Sequence, residues 1–190
     1  DQAMDWRDAC EVYMDHATDL DSGAAGGLDD RVRLKGVYAG AYHSFALTSY
    51  GSVYSFGLNN MGQLGIGSLE PNHTGIPTLV PALEGKDIMR LEGGEHHSLA
   101  LSADGEVYAF GRGDNNQLGF ADGTDQQLTP RHITSLSGVR VRAVSTQANS
   151  NFAVSCSGDL YSWGFGEMGQ LCNGKGGDEV APTLIETGDV

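Results

Sequence analysis

Two adjacent histidines, His96 and His97, preceded by Glu95, are the side chains whose types and spacing come nearest to reaction chemistry. Imidazole pairs bind metals, but neighbouring residues of an extended segment point to opposite faces, so one ion cannot readily take both. Asp114, Asn116, Asp122 and Asp125 offer oxygens without the spacing of a calcium loop, and describe a solvated surface. Cys10, Cys156 and Cys172 are too scattered for a zinc site or a disulfide framework, which leaves reduced thiols. No Ser-His-Asp arrangement, phosphate loop or metal cluster supports a hydrolase or transferase, and no cofactor or metal is expected. The chemistry left is recognition by side chains held in fixed places.

What holds them is a unit written three times. Gly93-Gly94-Glu95-His96-His97-Ser98-Leu99-Ala100-Leu101 leads into Gly105-Glu106-Val107-Tyr108-Ala109-Phe110-Gly111 and then Asn116-Gln117-Leu118-Gly119. Earlier copies of the same order are Gly40-Ala41-Tyr42-His43-Ser44, Val53-Tyr54-Ser55-Phe56-Gly57 and Gly62-Gln63-Leu64-Gly65; a worn later one has Asn149, Trp163-Gly164 and Gln170-Leu171. Equivalent positions recur about every 54 residues, close to the length of a propeller blade. Gly57, Gly111 and Gly164 each follow an aromatic residue that should pack between blades, and each Gln-Leu pair reads as structural, the leucine plugging a gap and the amide satisfying loop backbone. His97 aligns with His43 and reads as a structural histidine; His96 aligns with Tyr42 and Asn149, so this position varies between copies. Variation on a repeated scaffold is where a specific surface is written.

Each copy should contain a hairpin, Ser44 to Thr48 with Val53 to Phe56 in the first, with Asp104-Gly105 as a two-residue turn in the second that needs positive φ at both positions. A third strand is expected around Thr78 to Val80, His132-Ile133 and Thr183-Leu184, and a fourth over Ile88 to Leu91 and Val141 to Val144. Four antiparallel strands per period make a propeller blade.

Residues 1–30 differ. Ala3, Trp6, Cys10, Tyr13, Met14 and Ala17 recur at helical spacing against an acidic opposite side, which predicts a short N-terminal helix followed by a glycine-rich linker. It either covers a propeller edge or docks a partner. Residues 31–190 then form the repeats, about 36–90, 91–143 and 144–190. Eleven basic against 25 acidic residues give a net charge of -14, which opposes direct DNA binding and favours a basic partner. No run of roughly 18 apolar residues suggests a membrane span.

The pattern Gly-x-x-His-Ser-x-Ala-Leu, Gly-x-Val-Tyr-x-Phe-Gly, Gly-Gln-Leu-Gly resembles the repeat of the regulator of chromosome condensation family, over about residues 36 to 187. The resemblance implies an all-β fold, about three to four blades of a seven-bladed propeller, the remainder supplied by another chain or a longer protein. It implies a guanine nucleotide exchange factor for the small GTPase Ran, or its C-terminal half, acting without covalent chemistry and located in the nucleus, with the cytoplasm as alternative. Histones or chromatin are further implied partners. His96 matches a histidine the family uses at its GTPase-contacting face, and Asn60 a further loop position there; Tyr42, Glu95 and Asn149 are the other partner-binding candidates. The competing reading is an interaction module of the same fold without exchange activity.

Overall fold

The computed structural model describes residues 33–186, so the helix expected in residues 1–30 lies outside the described residues. Twelve strands form three four-stranded antiparallel sheets in strict chain order. The first holds β1 (Leu34–Ala39), β2 (His43–Thr48), β3 (Val53–Leu58) and β4 (His73–Leu79). The second holds β5 (Ile88–Gly93), β6 (His97–Ser102), β7 (Val107–Arg112) and β8 (Gln126–His132); the third holds β9 (Val141–Gln147), β10 (Ser150–Ser155), β11 (Leu160–Gly164) and β12 (Glu179–Leu184). These are three propeller blades.

Two details differ from the expected strand plan. The strand at Ile88 pairs with β6 and not with the preceding hairpin, so it opens the second sheet instead of closing the first. The hairpin turn is also different: Gly105 has φ +89 while Asp104 has no positive φ, because the connection spans residues 103–106, with Ser102 N–H bonded to the Glu106 carbonyl (3.0 Å). Only the glycine occupies the left-handed region.

The apolar core lies between blades. Phe45, Leu47, Val53, Val80 and Leu83 of the first blade meet Ile88, Leu91 and Phe110 of the second, with Phe45 and Phe110 edge to face at 6.0 Å. Leu99, Leu101, Val107 and Leu118 of the second meet Val141, Val144 and Trp163 of the third in the same way. The aromatic before the strand-ending glycine therefore packs across a boundary at Phe110 and Trp163, whereas Phe56, before Gly57, is half-buried and belongs to neither cluster.

The two outer flanks expose the faces that are buried at the inner boundaries. Leu34 and Val37 on β1 are 45% and 62% exposed, whereas their equivalents Ile88 and Leu91 are 2% and 0% exposed. Phe152, Val154 and Leu160, on the opposite flank, are only partly buried where Phe45, Leu47 and Val53 are fully buried.

Polar clamps join the blades as well. His43 Nε2 lies 2.8 Å from Ser98 Oγ, and His97 Nε2 lies 2.7 Å from Asn151 Oδ1, each bond crossing one boundary. Burial lowers the pKa of His43 to about 3, helped by the nearby His97. Burial likewise lowers that of His97 to about 4, against the opposing bond to Asn151.

Candidate functional site

Strand direction puts the β1–β2, β5–β6 and β9–β10 bends on one face of the arc. The long loops after β3, β7 and β11 share that face, and the hairpin turns lie on the other. The bends are spaced by a ladder in which Ala41 N–H bonds to the Gly94 carbonyl and Glu95 N–H to the Ala148 carbonyl, both at 3.0 Å. Candidate residues Tyr42, His96 and Asn149 sit at equivalent places in these bends.

Their backbone is fixed by the strand-ending glycines. Leu58, Arg112 and Phe165 each donate N–H to the carbonyl of Tyr42, His96 and Asn149, at 2.9, 2.9 and 3.0 Å. Such an approach leaves no space behind the preceding residue. A Cβ on Gly111, which has φ +103, would stand 2.5 Å from the His96 carbonyl oxygen. Glycine is thus required where the chain presses against the bend.

Three of the five candidates come together. Tyr42, 55% exposed, stacks its ring on His96 with centroids 5.3 Å apart and planes 27° off parallel. Behind the imidazole, Gln63 Nε2 lies 3.4 Å from His96 Nδ1 and donates to Asn60 Oδ1 at 3.0 Å. Tyr42, His96 and Asn60 are therefore one surface, carried by two blades and joined through a fully buried glutamine. Glu95 lies beside it, near Arg112, whose guanidinium is held by Asp114 through bonds of 2.6 and 2.9 Å. This pairing holds the Asp114 carboxyl below its usual range. Asn149 is one blade further on, where Gln117 Nε2 donates to its Oδ1 at 3.2 Å.

His97 points away from this surface into the blade boundary, so the two adjacent histidines are separated as extended backbone requires. Among the described residues no group of three or more histidines, cysteines or carboxylates could hold a metal ion. Gln63 and Gln117 do bond loop backbone as expected, accepting from Met61 N–H and Asn115 N–H at 2.8 Å. Their second role, reaching forward to the bend of the next blade, was not read from the sequence. Nothing in one repeat says which residue of the following repeat its loop will touch.

The RCC1-like domain family matches residues 15–190. The chain belongs to that family. This RCC1-like chain is 41% identical over 169 residues to the protein pim1 of Schizosaccharomyces pombe, covering 80% of the chain and 31% of the relative. It is 36% identical to the ultraviolet-B receptor UVR8 of Arabidopsis thaliana, covering 82% of the chain and 34% of the receptor. The crystal structure of Prp20p from Saccharomyces cerevisiae, described with its binding to Gsp1p and histones, superimposes with a TM-score of 0.74 at 29% identity. That likeness covers 81% of this chain and 38% of Prp20p. The RCC1-like chain thus spans about a third of the length of the curated relatives it matches.

Proposed function

We propose that the bend face of these RCC1-like blades grips a small GTPase of the Ran class and promotes release of its guanine nucleotide. His96 is the contact on which exchange depends, and Tyr42, Asn60, Glu95 and Asn149 add partner-binding surface. The observation that carries this reading is the row Tyr42–His96–Gln63–Asn60, in which the blade-specific side chains Tyr42, His96 and Asn60 are tied across a boundary through the recurring Gln63. Support comes from Prp20p, whose partners include Gsp1p, a Ran protein, and histones.

Exchange needs no bond-making. A surface that binds the nucleotide-free GTPase more tightly than the loaded form weakens nucleotide affinity by the same factor. On the bend face, Glu70, Glu95, Asp125, Glu167 and Asp178 have no salt bridge among the described residues, so a basic partner surface is attracted there. Further blades, from a longer form of this protein or another chain, would cover Leu34 and Val37 on one flank and Phe152 and Val154 on the other. The nucleus is the expected place of action, in keeping with the resemblance to the exchange-factor branch.

A second reading is a binding module without exchange activity, favoured by the 36% identity to UVR8. A photoreceptor of that kind is disfavoured because Trp163 is the one tryptophan within the repeats.

The test is release of fluorescently labelled GDP from purified Ran by the full-length protein. Accelerated release supports exchange; tight Ran binding with an unchanged release rate leaves the module. His96→Ala should slow stimulated release by about tenfold, the cost of one well-placed contact. An unaltered rate would remove His96 from the site.

A further inference from the structure

The His96 imidazole is set from behind by a side chain whose own orientation is fixed. Gln63 is fully buried, and its Oε1 is occupied by the Met61 N–H at 2.8 Å. One proton of its Nε2 goes to Asn60 Oδ1 at 3.0 Å, and the other faces His96 Nδ1 at 3.4 Å. Flipping the amide would set the Gln63 NH2 against the Met61 N–H and its oxygen against the Asn60 oxygen, two repulsive pairings in a buried place. An N–H donor therefore faces Nδ1, and Nδ1 must accept.

From this geometry we infer that Gln63 is the positioning residue of the rim: it holds the neutral His96 ring in the tautomer that carries its proton on Nε2. The ring stacked on Tyr42 then presents an N–H donor to whatever docks on the bend face. The partner group that meets it is an acceptor oxygen, a carbonyl or carboxylate, and not an ammonium or guanidinium. Gln117 repeats the device one blade on, donating to Asn149 Oδ1, so that the Asn149 NH2 is the donor this side chain can offer in the same row. The inference rests on the proposed docking role of this face for its consequence, but the tautomer itself does not.

The first measurement uses the whole ¹⁵N-labelled chain and long-range ¹H–¹⁵N correlation of the histidine rings, with the His96 signals identified by their loss in His96→Asn. At about pH 9, where an ordinary imidazole is neutral, the wild type should show a protonated Nε2 and a bare Nδ1. A protonated Nδ1, or an even mixture, overturns the proposal. Gln63→Glu puts an acceptor where the donor stood and should move the proton to Nδ1 under the same conditions. Should that variant fail to fold, the wild-type spectrum alone decides.

The second measurement is affinity for nucleotide-free Ran at the same pH. Gln63→Glu should lose about tenfold, as one hydrogen bond is lost, while the equivalent Gln170→Glu in the third blade should change it less than twofold. Equal losses in both would mean general destabilisation and refute the positioning role. If wild type fails to bind Ran while the tautomer is as inferred, the functional reading fails and the positioning of His96 stands.

Discussion

Mild acid should loosen the blade boundaries through two buried histidines, and the size of the effect follows from their surroundings. His43 and His97 are neutral in the fold, their pKa values lowered by burial to about 3 and about 4. An unfolded imidazole takes up a proton near pH 6.5. Below that point the unfolded chain binds more protons than the folded one, so stability falls with pH until the folded values are reached. Each histidine then costs about 1.4 kcal/mol per pH unit below 6.5, and the pair together about 4 kcal/mol at pH 5. That figure does not depend on where the folded values lie, provided they lie well below 5. The Asp114 and Asp122 carboxyls, held below their usual range mainly by Arg112 and Arg131, lose their contribution only at more acid pH. Urea unfolding followed by the emission of buried Trp163 at pH 5, 6, 7 and 8 measures the slope, and His43→Gln with His97→Gln should flatten it. Equal stability at pH 5 and pH 7.5 in the wild type, or an undiminished slope in the double variant, would refute the account.

Two further changes test the scaffold. Gly111→Ala forces a side chain into left-handed backbone against the His96 carbonyl, and should cost about 2–4 kcal/mol in urea unfolding; a change under about 0.5 kcal/mol would show the bend to be pliable. Trp163→Ala empties the boundary between the second and third blades and should cost about 3–5 kcal/mol by thermal or urea unfolding, while a near-neutral result would mean that this boundary collapses to fill the space.

The blades were legible in the sequence because their chemistry is periodic. The hairpins β2–β3, β6–β7 and β10–β11 alternate apolar and small residues around a repeated glycine, and the aromatic before Gly111 and Gly164 marks the boundary packing. The outer strands were found only as fragments. β4 runs His-Thr-Gly-Ile-Pro-Thr-Leu with no residue fully buried, so no apolar pattern records its length. The membership of β5 was unreadable because a repeat can be cut at any point of its cycle, and pairing with β6 is a long-range choice. Of the candidate site, the variable positions Tyr42, His96 and Asn149 were visible as departures from the repeat. Gln63 was not, because a residue present in every copy carries no sign of what it does for the next one.

That forward reach has a practical meaning for anyone exchanging segments between proteins of this architecture. A transplant cut at sheet borders, taking β5 to β8 whole, would carry His96 away from both Tyr42 and Gln63 and present it to strangers. Cuts placed after β2 and after β6 would instead move Gln63 and His96 as one piece, leaving Tyr42 alone to be matched by hand. The heritable parcel in such a chain is half a step out of phase with the folded one.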